Sequence, residues 1–306
     1  MIKNKYNVFR KLRNAAYEAL PFLRPCKNMF NQLKLKRFRR RLGIRRDTVA
    51  RTIAETGKYP LFDMIEVETV NRCNGDCDFC PVNRHKDPRK TAKMTTALFE
   101  SIILQLESLD YSGSLHLYSN NEPLIDERIA DFAALARRSL PRARIVFSTN
   151  GLLLTEEKYR SIIDSVDVFT INNYCEDYRL TENNLKIHDL SQTNPDWAKR
   201  TEVAIRYRKE LLNTRGSAAP NRSVALPPVL PVGCTLPTRQ IVVRPDGKLS
   251  LCCNDTLGTM TMGDLNESSL LDIWYSPRYD KVRERILDER AFLNVCKHCD
   301  TIQGHV

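Results

Sequence analysis

The sequence contains no apolar run approaching the roughly 20 residues that a membrane-spanning helix needs, so an integral membrane protein is excluded. The marks of a secretory signal are also missing. The N-terminal stretch MIKNKYNVFRKLRNAAYEAL is basic, without a continuous apolar segment or a cleavage site. Acidic residues are scarce in one place only. Residues 1–60 hold 3 Asp and Glu against 17 Lys and Arg, whereas residues 61–306 hold 34 against 31. The net charge of +11 therefore belongs to an N-terminal extension and not to the main body. That distribution argues against a protein whose folded domain is built for nucleic acid. With 42% hydrophobic residues, the 306-residue chain is too apolar to be disordered throughout. It is long enough for one large domain or two modest ones.

What is plentiful is cysteine. Ten cysteines stand at 26, 73, 77, 80, 175, 234, 252, 253, 296 and 299. Without a secretory signal, clustered cysteines read as metal ligands in a reducing compartment, which points to the cytoplasm.

Within residues 1–60, Phe9, Leu12, Ala16 and Leu20 fall on one helical face. Phe30, Leu33 and Leu42 suggest a second, among Lys34, Lys36, Arg37, Arg39, Arg40 and Arg41. The plain reading is a helical layer with a solvated basic face. Peripheral contact with an anionic membrane comes next, and RNA third. From residue 61 strands alternate with helices. MIEVETV (64–70), SLHLYSN (114–120), ARIVFSTNG (143–151) and VDVFTINNY (166–174) read as strands. The helices between them carry Leu98, Phe99, Ile102, Ile103 and Leu106, capped by Thr95 or Thr96, then residues 126–140, then one opened by Thr155. Parallel strands with crossover helices follow, as an open sheet or a full or partial barrel, with the site in loops at the C-terminal strand ends. Asn194–Arg215 reads as helical, SAAPNRSVALPPVLPVG as a linker, and RQIVVRPDGKLSLCC as a hairpin about Asp246-Gly247. LLDIWYSPRYDKVRERIL offers one or two helices.

Cys73, Cys77 and Cys80 follow the first strand at intervals of four and three. Three thiolates on one loop suit zinc, with His85 available as a fourth ligand, or an iron–sulfur cluster with an open position. Cys-x3-Cys-x2-Cys with aromatic Phe79 before the last cysteine resembles the radical S-adenosylmethionine (radical SAM) superfamily. The resemblance implies that Cys73, Cys77 and Cys80 hold a [4Fe–4S] cluster, on whose fourth iron SAM is cleaved to a 5′-deoxyadenosyl radical. It carries over to three further strand ends. Asn120-Asn121-Glu122-Pro123 stands where the family has Gly-Gly-Glu-Pro, which implies that Asn121, Glu122 and Pro123 meet the SAM ammonium group. Both glycines are replaced by asparagine, a residue that tolerates left-handed backbone. Ser148 and Asn150 of Ser-Thr-Asn-Gly match the methionyl- or ribose-binding segment. Thr170 and Asn172 match the ribose-contacting position, and Phe79 the cofactor-side aromatic.

Cys234, Cys252, Cys296 and Cys299 form a second group, at intervals of 18, 44 and 3. Spacing alone suits a zinc ribbon equally well. Cys-…-Gly-x4-Cys-…-Cys-x2-Cys is similar to the SPASM/twitch auxiliary domains that follow radical SAM barrels, and the likeness implies a second, fully ligated [4Fe–4S] cluster. Cys253 competes with Cys252, which the Gly-x4-Cys spacing favours. Cys26 and Cys175 receive no role. His298 reads as exposed, and His116, alternating with Leu115 and Leu117, as a barrel-facing or satisfied core histidine.

The expectation is an α/β protein. A basic helical extension (1–60) precedes a partial (β/α) TIM-like barrel (61–215) and a small Cys-rich α+β cluster domain (216–306). The resemblance implies a radical SAM oxidoreductase with an external one-electron reductant. Its foremost reading is oxidation of a sugar or aminocyclitol, with the auxiliary cluster as electron acceptor. A SPASM-type peptide or protein maturase is the alternative, and a zinc-binding nucleic-acid adaptor the remote one. No catalytic base is evident, and Arg206 and Tyr174 are candidates by location only.

Overall fold

A computed structural model describes residues 2–4, 24–209, 213–222 and 229–302. The helical face expected of Phe9, Leu12, Ala16 and Leu20 lies outside these residues. The strands are β1 (Ile2–Asn4), β2 (Met64–Val67), β3 (Ser114–His116), β4 (Arg144–Thr149), β5 (Val168–Cys175), β6 (Thr201–Tyr207), β7 (Gln240–Val243), β8 (Lys248–Ser250) and β9 (Thr261–Asp264). They form one sheet in the order β1-β6-β5-β4-β3-β2-β7-β8-β9. Every pair from β1 to β7 is parallel, and β8 and β9 are antiparallel additions. The helices are α1 (Arg24–Thr56), α2 (Thr96–Ser108), α3 (Ile129–Ser139), α4 (Glu156–Ile163), α5 (Glu182–Gln192), α6 (Pro195–Arg200), α7 (Leu270–Trp274), α8 (Pro277–Ile286) and α9 (Asn294–Lys297). This is the expected partial (β/α) barrel, unclosed because β1 and β9 stand at opposite edges.

Period-two alternation sorts the strand side chains. Ile65, Val67, Leu115, Ile145, Phe147, Phe169, Ile171 and Val203 are sealed at 0% exposure in the core under the helices. Glu66, His116, Ser148, Thr170 and Asn172 alternate with them and face the other way, into the barrel lumen. The crossover helices begin where hydroxyl caps allow. Thr95 accepts from the Leu98 amide, Thr155 from Lys158 and Thr181 from Asn184.

Two expectations fail. Asn194–Arg215 is not one helix. Asn194 caps the short α6, and from Thr201 the chain becomes β6, paired with β5 from Phe169↔Thr201 to Cys175↔Tyr207. Glu202, Ala204 and Arg206 are good helix formers, but a seven-residue ladder with Val203 in the core outweighs propensity. Nor is the N-terminal extension helical throughout, since Ile2–Asn4 pairs with Val203–Ile205 as the sheet's edge.

Helix α1 does form the expected layer. Phe38, Leu42 and Val49 are buried, whereas Leu33 is 50% exposed, so Leu33 and Leu42 do not share one packed face. Arg45 donates to Thr238 Oγ1 (3.0 Å), and Arg46 to Leu287 O (2.7 Å) and Asp288 (2.6 Å). The extension thus docks against the Cys-rich C-terminal region. No helix of the described residues is long and apolar enough to cross a membrane.

Candidate cofactor and substrate site

The loop after β2 carries Cys73, Cys77 and Cys80 at the C-terminal end of the parallel strands. It is latched from both sides. Arg89 donates to Asp87 (2.9 Å), Glu68 (3.4 Å) and the carbonyls of Asn71 and Asn120. Arg208, just past β6, holds Asp76 at 2.9 Å and Glu176 at 2.7 Å. Cys73 Sγ accepts from the Gly75 amide (3.3 Å) and from Asn150 Nδ2 (3.7 Å). Phe79 is buried, with its ring 5.8 Å from that of Tyr174.

The strand-end turns converge on this loop. Glu122 is buried, and its carboxylate accepts from Thr149 Oγ1 (2.8 Å), the Asn150 amide (2.7 Å) and the Leu124 amide (3.1 Å). Burial pushes its carboxyl up to about 7, against those hydrogen bonds. Asn150 donates onward to Asn74 Oδ1 (2.8 Å). Asn121 accepts from the Ser119 amide, while its buried Nδ2 has no partner among the described residues. Pro123 opens a 3₁₀ turn, Pro123–Ile125. Deeper in the lumen, Asn172 donates to Ser148 Oγ (2.6 Å) and accepts from Arg206 Nε (2.6 Å). Thr170 lies beside Ser148 in register, and Arg206 beside Tyr174. Cys73, Glu122, Asn150, Ser148 and Asn172 are therefore brought to one end of the barrel. His85 is exposed and receives Arg84 Nε at 2.9 Å.

The second cysteine group surrounds a small cavity lined by Cys234, Cys252, Cys296 and Cys299, with Leu236, Pro237, Asn254, Arg290 and Val295. Cys252, and not Cys253, joins the group. Burial pushes up the thiols of Cys234, Cys252 and Cys296, as it pushes Cys77 up and Cys73 to about 12. All described cysteines are free of disulfides. Sequence reasoning missed Arg290. Its buried guanidinium lines the cavity and donates to the carbonyls of Val232, Gly233, Cys299 and Thr301. Among the described residues no three His, Cys, Asp or Glu side chains converge on a single-ion point. Buried, all-sulfur, disulfide-free donors with a cation alongside suit a multi-iron centre, which gives each thiolate its own iron and relieves the cost of burying its charge.

Between the two groups lies a polar lumen. Glu66 accepts from Gln240 Nε2 (2.6 Å) and from Ser119 Oγ. Gln240 Oε1 accepts from the Cys253 amide (3.2 Å), and Asn120 Nδ2 donates to Cys253 O (3.1 Å). Strand β7 thus ties the lumen to the cysteine cavity. Glu66 and Gln240 were also missed. A glutamate inside MIEVETV was the available signal.

The radical SAM superfamily model matches residues 67–214, and the SPASM iron–sulfur cluster-binding domain matches 234–300. An S-adenosyl-L-methionine-dependent 2-deoxy-scyllo-inosamine dehydrogenase of Niallia circulans is 27% identical over 244 residues, 79% of this chain and 94% of the relative. The crystal structure of BtrN in complex with AdoMet and 2-DOIA is 26% identical with TM-score 0.68, covering 79% of this chain and 94% of that one. anSMEcpe with bound AdoMet shares the fold alone, at 12% identity and TM-score 0.53, covering 78% of this chain and 85% of that one.

Proposed function

The chain belongs to the radical SAM superfamily and carries a SPASM domain, and from that premise we propose a dehydrogenase that oxidises one hydroxyl of a sugar or aminocyclitol ring. It is an oxidoreductase that uses SAM and [4Fe–4S] clusters. When bound, those groups supply one-electron cleavage of SAM and a carbon-hydrogen abstraction that no side chain could perform. One observation carries the choice of substrate class: 94% of the inosamine dehydrogenase is matched, across both domains. Family membership removes the zinc-adaptor alternative.

The residue assignments are part of the proposal. Cys73, Cys77 and Cys80 ligate the SAM-binding cluster, supported by the shared latched loop and by burial of its thiols. Cys234, Cys252, Cys296 and Cys299 ligate the auxiliary cluster, supported by their common cavity. Glu122 meets the SAM ammonium group. A carboxylate accepts about four hydrogen bonds, and three donors are present. Asn121 brings a buried amide without a partner among the described residues, and Pro123 opens the turn that follows Glu122. Ser148, Asn150, Thr170 and Asn172 line the cofactor's ribose and methionyl side, with Phe79 packed behind. We place the enzyme in the cytoplasm on its free thiols. Exposed Lys36, Arg37, Arg40 and Ile44 of α1 support peripheral contact with anionic lipid, to be tested by salt-sensitive sedimentation with anionic vesicles.

The test is 5′-deoxyadenosine formation by anaerobically reconstituted, reduced protein, with and without 2-deoxy-scyllo-inosamine. Stimulation by the cyclitol, with the matching ketone as product and no turnover in a Cys73→Ala/Cys77→Ala/Cys80→Ala variant, is expected. SAM cleavage that no sugar or cyclitol stimulates would overturn the substrate reading.

A further inference from the structure

Glu66 stands apart among the lumen's buried groups. It is 4% exposed, yet both hydrogen bonds to it come from neutral donors, Ser119 Oγ and Gln240 Nε2. Glu68, two residues on, is paired with Arg89 at 3.4 Å. Glu66 makes no ion pair among the described residues. Arg215 lies within electrostatic reach but not in contact, and its own buried Nε has no acceptor among the described residues. Burial pushes the Glu66 carboxyl up to about 7. A buried carboxylate without a contacting cation is costly, and a cation delivered to it would be bound strongly.

Its position suits a ligand. Core-facing neighbours are sealed, whereas His116, Tyr118, Thr170, Asn172, Tyr174 and Arg206 keep accessible surface on the lumen side. Tyr174 lies within electrostatic reach of Cys77 and Cys80, and Tyr118 within reach of Glu66 and Cys253. A small molecule held at Glu66 would therefore sit between the two cysteine groups.

We propose that Glu66 binds the ammonium group of an amino-substituted polyol, while the unpartnered Nε of Arg215 donates to a ring oxygen of the same ligand. Glu66 then selects an amine over a hydroxyl at that ring position. Loss of the amine leaves the carboxylate buried and uncompensated, so discrimination of at least about 30-fold is expected. The inference rests on the dehydrogenase reading above.

Calorimetric titration of oxidised protein with both clusters and SAM present, where no turnover occurs, tests it. The probes are 2-deoxy-scyllo-inosamine against the deoxyinositol bearing a hydroxyl in place of its amine, and glucosamine against glucose. Wild-type protein should prefer the amine of at least one pair, and which pair it prefers separates a cyclitol from a sugar. Glu66→Gln should abolish the preference with iron content unchanged. Glu66→Met gives the same reading should the glutamine variant not fold. Equal binding within both pairs, or a preference that survives loss of Glu66, overturns the inference and leaves the dehydrogenase reading standing. Binding of none of the four overturns both.

Discussion

Glu122 and Arg290 show how a single buried charge is made tolerable, and each gives a prediction. The Glu122 carboxyl titrates near 4.5 unfolded and about 7 folded. Between these values the native state holds the extra proton. The stability this confers is full below pH 4.5 and is lost as pH rises through 7, on the order of 3 kcal/mol. In SAM-free protein, urea midpoints should fall between pH 5 and 8, and Glu122→Gln should flatten part of that slope. Glu66, raised likewise, supplies the remainder. An unchanged slope in the variant would contradict the assignment. Arg290 satisfies carbonyls from two segments, Val232–Gly233 and Cys299–Thr301. Arg290→Met should destabilise by about 3–5 kcal/mol, read as a lower thermal midpoint. Arg290→Lys should recover only part, because one ammonium cannot reach all four acceptors.

At the scale of elements, the Cys73–Cys80 loop contains no regular secondary structure of its own and depends on its latches. Arg89 is the inner one, 11% exposed and shared between Asp87 and Glu68. Arg89→Met leaves Glu68 buried without its cation and Asp87 with Arg72 alone. The variant should fold but lose iron from one cluster, and iron analysis together with electron paramagnetic resonance checks this. Arg208 is 36% exposed, so Arg208→Ala should cost well under 1 kcal/mol and leave iron content intact. Strand β6 carries the same lesson for folding. Glu202, Ala204 and Arg206 favour a helix, Thr201, Val203, Ile205 and Tyr207 favour a strand, and the ladder to β5 decides for the strand.

At the scale of the molecule, one sheet runs through both cysteine regions. β2, which leads into the first loop, pairs directly with β7, which leads into the second. The two centres are thereby fixed relative to each other through backbone hydrogen bonds. Fully reconstituted protein should hold about eight irons per chain, if each cluster is [4Fe–4S]. Cys73→Ala/Cys77→Ala/Cys80→Ala should retain about four, and so should Cys252→Ala. Loss of all iron from either variant would mean that the centres do not assemble independently.

The sequence by itself determined the parts whose signal is local. Cysteine spacing marked both groups, alternation of His116 with Leu115 and Leu117 separated lumen from core, and Asp246-Gly247 marked the β7–β8 hairpin. Threonine caps set the helix starts. Tertiary structure decided what depends on partners distant in the chain. Cys252 and Cys253 both follow β8, but Cys252 lines the cavity whereas the backbone of Cys253 is held by Gln240 and Asn120 on the lumen side. Strand β6 and the edge strand β1 were hidden because three to seven residues acquire strand character only by pairing. The roles of Glu66, Gln240 and Arg290 could not be read locally because each depends on a partner remote in the chain, 174 residues away for Glu66 with Gln240 and 57 for Arg290 with Gly233. Side-chain chemistry is written locally, but the electrostatic matching of buried charges is a property of the assembled fold.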